Sequence, residues 1–461
     1  MMQLEDNSKL LDTQRGSDIV EKLNDKELSK LQENESERFI IFPYDISESS
    51  SIKKDNYIFE SVKGEVFTKN IVGFLKQGKE EIRITTRFYK GKKDGSDFFL
   101  DYMLGKVLNY NIISHELDVK THDSYHDLLR FLFPFYLNQA MKKGIYKQYV
   151  KRKYNDANIK GPIDIARHIK INTPFLGKVA YRTREFSFDN HLTQLIRHTI
   201  EKLESDYGFT SVGDEIFKEN VRAIKGETNN YSKGERQDIL RLNIQNPVRH
   251  GYYEEYYQLQ KLCIQILKDE EVGFEDDDTK IHGIIIDISW LWEEYLAILL
   301  AGYKHPKVDE SIYDRNIYKE GKSVKVRPDF YCNYKKMILD AKYKRYNTKK
   351  LKGEDLFQII SYLHYKKANK AGVIYPSKKY AKYDEEDGVE LSSEVYEVKV
   401  EIEGFLEGFG GMIFKLPLII PQYKDKYEIF VKEIEDSEKK FEESLNYLEK
   451  KYSDVEKKMI K

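Results

Sequence analysis

Residues 327–344 read RPDFYCNYKKMILDAKYK, two short segments joined by a tight polar turn, with Asp329 on the first and Asp340 and Lys342 on the second. Side chains alternate across a strand, so Asp340 and Lys342 share one face while Leu339 and Ala341 turn to the other. A turn around Asn333–Lys335 folds strand 324–332 back beside strand 335–343 and brings Asp329 near Asp340. Burying such charges is expensive unless a cation or a catalytic task accompanies them. Two carboxylates aimed at one point repel unless a hard cation sits between them, and oxygen ligands suit magnesium. Lys342 beside that cation is placed to orient or deprotonate a water. Metal, water and lysine together are the parts needed to hydrolyse a phosphodiester.

The flanking segments add to this pattern. The stretch IIIDISWLWEEYLAILLAGY (284–303) reads as a helix that is apolar almost all round yet carries Glu293 and Glu294. A carboxylate on a buried helix is costly, and a shared metal would offset that cost. Downstream, EDLFQIISYLHYKKA (354–368) places Gln358 and Tyr362 one turn apart on one helix face, and AGVIYP (371–376) supplies the next strand. The expected order is helix 284–301, strands near 310–318, 324–332 and 335–343, helix 354–369 and strand 371–376.

Upstream, residues 1–38 are polar and charge-rich and read as a mobile tail or a short peripheral helix. Residues 39–120 open with β-branched and aromatic runs such as RFIIFPYDI and EEIRITTRFY, expected to form a strand-rich, partner-binding domain. Residues 121–280 read as a helical middle region, with amphipathic spacing over 128–152, 190–208 and 252–269. Residues 281–425 hold the candidate site. The tail 426–461 places Phe430, Ile434, Phe441, Leu448, Tyr452, Val455 and Met459 at four- and three-residue steps, with Ser437 and Ser444 filling two gaps. A stripe this short favours docking on the same chain over a dimeric coiled coil.

Bulk properties narrow the classes. The 77 basic and 78 acidic residues cancel, so net charge names no partner, but acidic runs at 274–280 and 383–388 bracket a Lys-rich stretch from Lys335 to Lys382. Cys263 and Cys332 are too few for a disulfide scaffold or a four-cysteine metal site, which fits a reducing cytoplasm. The first residues lack a signal-peptide pattern, and the longest apolar run carries Asp287, Glu293 and Glu294, so no membrane association is expected. GFLKQGKE (73–80) approaches a phosphate-binding loop, but Glu80 stands where Ser or Thr should hold magnesium, and a strand follows where a helix is required. The chain is therefore not expected to hydrolyse nucleotides itself.

The order Glu-helix, PD strand, DxK strand, QxxxY helix resembles the PD-(D/E)xK nuclease superfamily. Within it, WLWEEYL, VRPDFY, MILDAKYK, DLFQIISYLHY and GVIYP resemble the McrC-like nuclease subunit of McrBC and LlaJI-type restriction systems. Residues 84–112 and 161–200 look like upstream portions of the same family. The resemblance implies an α/β fold: a C-terminal restriction-endonuclease-like PD-(D/E)xK core with helices flanking a mixed sheet, after the strand-rich domain and the helical region. It implies that Asp329, Asp340 and Glu293 bind Mg2+ (Mn2+ being a possible substitute), with Glu294 as fallback. Lys342 matches the motif lysine, and Gln358 the glutamine that contacts the site or the nucleic acid. It implies double-stranded DNA as substrate, a McrB-like AAA+ GTPase as partner, and a role in antiviral defense. A self-sufficient restriction endonuclease and a catalytically idle DNA- or motor-binding adaptor are the alternatives.

Overall fold

The computed structural model describes residues 2–28, 39–42, 57–90, 97–107, 125–207, 215–268, 281–305, 327–346, 351, 353–378, 401–407, 411–422 and 424–451. It divides into two units. One comprises Met1–Val107, Ile112–Asp123 and Asp278–Lys461; the other comprises Leu108–Asn111 and Ser124–Asp277.

The first unit begins with β1 (Met2–Glu5), α1 (Asp12–Arg15) and α2 (Asp18–Leu23), the last capped by Ser17, whose Oγ accepts the Val20 N–H. Leu4, Leu10, Ile19, Val20 and Leu23 are buried. The segment expected as a peripheral tail is therefore, over its described residues, part of a core. Its apolar residues are too sparse to show a period, but most fall on inward positions, Leu11 being exposed. Next come β2 (Phe39–Phe42), β3 (Phe59–Val62), β4 (Glu65–Thr68), β5 (Ile71–Gln77), β6 (Glu80–Thr85) and α3 (Phe98–Val107). Two glycines of the phosphate-loop lookalike have structural tasks. Gly78, at φ 53°, is the first of two hairpin residues between β5 and β6, where a left-handed backbone is needed. At Gly73, a Cβ would lie 1.9 Å from the Ile284 carbonyl oxygen of a neighbouring strand.

The second unit contains α4 (Tyr125–Met141), β7 (Gln148–Asp156), α5 (Ile165–Ile171), β8 (Val179–Ser187), α6 (His191–Tyr207), α7 (Glu215–Glu227), α8 (Arg236–Gln245) and α9 (Glu254–Lys268). The helix read over 128–152 stops at Met141, and Gly144 at φ 79° turns the chain left-handed. A long antiparallel hairpin comes next, paired from Gln148 with Ser187 to Asp156 with Val179. Alternation in KQYVKRKYND was hidden by its lysines and arginines. The α4, α6 and α9 helices pack together, with Leu137, Leu195, Leu259 and Leu262 inside.

The chain returns to the first unit with β9 (His282–Asp287), α10 (Ile288–Leu299), β10 (Phe330–Cys332), β11 (Met337–Ala341), α11 (Gly353–Lys366), β12 (Lys370–Lys378), β13 (Glu401–Phe405), β14 (Met412–Ile420) and α12 (Tyr427–Lys451). The helix read over 284–301 splits. Its β-branched start is a strand, and Asp287 caps the helix by accepting the N–H groups of Ser289 and Trp290 at 2.9 and 3.2 Å. The strand read near 310–318 lies outside the described residues.

Two five-stranded sheets result, ordered β1-β6-β5-β9-β2 and β10-β11-β12-β14-β13. In the first, β9 runs between β5 and β2, so residues next to the candidate site complete the sheet of the strand-rich region. The regions 39–120 and 281–425 share one unit for that reason. The second sheet is mixed: β11, β12 and β14 are parallel, with antiparallel strands at both edges. One of its faces packs on α11 through Ile338, Ile359, Leu363, Val373 and Ile413. The stripe of α12 docks within the unit, against β14 and α3, burying Phe430, Ile434, Ser437, Phe441 and Leu448. The last stripe positions, Tyr452, Val455 and Met459, fall outside the described residues.

Candidate active site

The β10–β11 hairpin sets the geometry. Phe330 pairs with Leu339 and Cys332 with Met337, and one further step in this register places Asp329 opposite Asp340. Lys336, at φ 44°, makes the turn. Asp329 Oδ2 accepts the Ala341 N–H at 2.7 Å, which anchors the first carboxylate to the second strand. Asp340 is 1% exposed; its Oδ2 lies 2.7 Å from Lys342 Nζ, and its Oδ1 has no hydrogen-bond partner.

From Lys342 a chain of hydrogen bonds returns to the first strand. Lys342 Nζ donates to Gln358 Oε1 at 3.0 Å, Gln358 Nε2 donates to the Tyr362 hydroxyl at 2.7 Å, and that hydroxyl donates to the Arg327 carbonyl at 2.9 Å. Arg327 is two residues before Asp329, so the relay ties both strands to α11. The next lysine on this strand face, Lys344, donates to Asp355 at 2.9 and 3.2 Å, and Tyr346 donates to the same carboxylate at 2.7 Å. Asp355, Gln358 and Tyr362 follow helical spacing on one face of α11, opposite the strand face of Asp340, Lys342 and Lys344.

Electrostatics follow from burial and crowding. Burial, then the charges of Asp340 and Glu293, hold Asp329 well above the usual carboxylate range against the pull of Lys342 and the Ala341 N–H. Burial raises Asp340 too, although Lys342 opposes it. For Lys342, burial favours the neutral amine, but Asp340 and Asp329 outweigh it and keep the ammonium protonated above its ordinary range. Asp355 takes the opposite course to the aspartate pair. Burial would raise it, but hydrogen bonds from Tyr346 and Lys344 hold it low.

The structure thus gathers Asp329, Asp340, Lys342 and Gln358. Glu293 acts on Asp329 through space, but its Oε1 pairs with His305 Nε2 at 3.0 Å. Glu294 occupies the next position on the same helix, half-buried. Among the described residues, no three of His, Cys, Asp and Glu are grouped to hold a metal ion. The ligand set present is therefore two carboxylates, one with an unmatched buried oxygen. That donor chemistry fits a hard divalent cation, which is commonly held by one or two carboxylates with water and substrate phosphate completing its shell. Sequence reading missed His305, a lone histidine beyond α10. It also missed an apolar surface on the hairpin of the second unit, where Ile165, Ile169, Phe175 and Leu176 are 69, 61, 62 and 83% exposed.

Fold and site together describe a mixed α/β unit with a buried acid pair and an ion-paired lysine at the ends of two neighbouring strands, one of them at the sheet edge. The family described as McrBC 5-methylcytosine restriction system component matches residues 66–376. The chain belongs to that family. No curated protein matches the chain. Two solved structures are similar. One is the refined half-complex from a tetradecameric assembly of Thermococcus gammatolerans McrB AAA+ hexamers with bound McrC, at 14% identity and TM-score 0.48, over 97% of this chain and 99% of that one. The other is the Thermococcus gammatolerans McrBC complex, at 14% identity and TM-score 0.29, over 66% and 90%. No helix among the described residues is long and apolar enough to cross a membrane.

Proposed function

We propose that this chain is the DNA-cleaving subunit of a GTP-dependent restriction complex, hydrolysing phosphodiester bonds at a PD-(D/E)xK site. The observation that carries the reading is the buried Asp329–Asp340 pair beside Lys342, in a chain of the McrBC family. Asp329 and Asp340 would hold Mg2+, or Mn2+ in its place, which when bound supplies Lewis-acid polarisation of the phosphate and an activated water. Glu293 lends negative charge from α10 to the same site. Lys342, paired with Asp340, would orient the water or stabilise charge developing on the scissile phosphate. Gln358, itself held by Tyr362, aims that ammonium.

The partner is a McrB-like AAA+ GTPase. We place its docking surface on the exposed apolar residues between Gln148 and Ser187, with the strand-rich region expected from sequence as the alternative. Large apolar side chains exposed in one short segment are candidates for an interaction site.

The test is reconstitution with a McrB-like GTPase, GTP, magnesium and methylated plasmid. Linearisation that needs both proteins and GTP is expected. Cleavage by this chain alone would favour the self-sufficient enzyme, and stable assembly without cleavage the idle adaptor.

A further inference from the structure

Three cations meet at the carboxyl ends of the parallel strands in the second sheet, outside the site described above. Ala341 on β11 pairs with Ile374 on β12, and beyond that pair the chain reaches Arg345 on one side and Lys378 on the other, close enough for their charges to repel. Lys378 in turn pairs with Ile420 on β14, and the side chain of Gln422, two residues later, accepts the backbone N–H of Lys90 at 2.9 Å. Arg345 Nη2 donates to the Arg87 carbonyl at 3.1 Å, which closes the circle. Lys90, Arg345 and Lys378 thus come from three separate segments and converge on one strand end.

Among the described residues, the nearby acids do not balance them. Asp6 is fully buried and paired with Arg87 at 3.1 Å, and Glu5 reaches Arg345 only at 3.7 Å. Among the described residues, Lys90 and Lys378 have no ion-pair partner. Lys378 records the imbalance. Burial, then Arg345 and Lys90, push it down to about 8 despite Glu5 and Asp6. An anion is the group that would relieve this repulsion.

We infer that Lys90, Arg345 and Lys378 form a subsite for the phosphodiester backbone of the DNA cleaved at Asp329, Asp340 and Lys342. This rests on the nuclease reading above. β11 ends at Ala341, and Arg345 and Lys378 turn toward Arg87 and Glu5, away from the Asp340 and Lys342 face, so the backbone they hold is that leaving the site over the strand ends. The subsite therefore holds backbone to one side of the scissile bond and reads no base.

Binding of a short unmethylated duplex by the full chain, followed by fluorescence anisotropy over a salt series, tests this. Arg345→Gln combined with Lys378→Gln should weaken binding about tenfold or more and lower the slope of log affinity against log salt by about two, one for each phosphate no longer neutralised. Lys378→Arg should keep both affinity and slope, because it keeps the charge. A double variant with unchanged affinity, or with weaker binding at an unchanged slope, overturns the subsite and leaves the nuclease reading standing. A wild-type chain that binds no duplex even at low salt overturns both.

Discussion

Lys342 Nζ lies 2.7 Å from Oδ2 of Asp340, two residues back on the same strand, so the ammonium and the carboxylate occupy one face of β11 as an ion pair that is almost fully buried. The next lysine on that face, Lys344, turns instead to Asp355 and is about half exposed. The two lysines should therefore part company on mutation. Lys342→Gln is expected to lower plasmid cleavage by about a hundredfold, the scale of losing one preorganised charge stabiliser. Lys344→Gln should stay within a few-fold of wild type. Equal losses in both variants would show that general DNA affinity, and not the ion pair, carries the effect.

The relay through α11 gives Gln358 a positioning role, distinct from that of the acids. Gln358→Leu removes the acceptor of Lys342 and the donor to Tyr362. Cleavage should fall about tenfold or more, the scale of one lost hydrogen bond to a charged group. Manganese affinity, measured by titration calorimetry, should remain. Gln358→Glu, which keeps an acceptor for the lysine, should recover part of the rate. Loss of metal binding in Gln358→Leu would place the glutamine in the metal shell instead.

How much of this was legible in the sequence depends on what each element needed to declare itself. The β10–β11 hairpin was readable because its turn, its alternation and its two aspartates lie within a few residues of each other. The α11 face was readable because Gln358 and Tyr362 keep helical spacing. The split between β9 and α10 was not, since an apolar run does not distinguish a buried strand from a buried helix; only the Asp287 cap marks the boundary. The pairing of β9 with β5 and β2 joins residues far apart in the chain, which no local pattern carries. It also means that removing residues 1–110 would strip β9 of both neighbours, so the strand-rich region is a structural part of the site's support. His305 escaped for a related reason, because its contact with Glu293 depends on how the chain leaves α10.

The exposed apolar face of the hairpin yields a prediction about partners. Phe175→Asp with Leu176→Asp should abolish association with the AAA+ GTPase in size-exclusion chromatography. Both side chains are exposed, so the melting transition should move by no more than about 0.5 kcal/mol per substitution. Undiminished assembly would place the contact elsewhere.

A pH dependence arises from His198 in the second unit, a fully buried ring that packs at a tilt against Tyr231 and has no hydrogen-bond partner at either nitrogen. Burial, followed by Arg236 and Arg197, pushes it down to about 4. The unfolded chain takes up this proton near pH 6.5 and the folded chain only near 4. Stability is therefore lost as pH falls through that window and is unaffected above it. His198→Phe should flatten the acid limb of a melting-temperature profile by the equivalent of about 3 kcal/mol. Parallel profiles for variant and wild type between pH 6.5 and 4 would show that the ring does not titrate in this way.

Asp329 and Asp340 are the proposed centre of hydrolysis. Asp340→Asn alters no side-chain volume and replaces a buried charge with an amide, so the fold should persist with an unchanged or slightly higher melting temperature. In the reconstituted assay with GTP and magnesium, this variant should assemble with its partner and stimulate nothing beyond background nicking. The expected loss is at least about a hundredfold, as the metal's contribution to charge stabilisation disappears. Glu293→Gln, whose carboxylate pairs with His305 in this structure, should lose less than Asp340→Asn. Plasmid linearisation by Asp340→Asn at the wild-type rate would contradict the account.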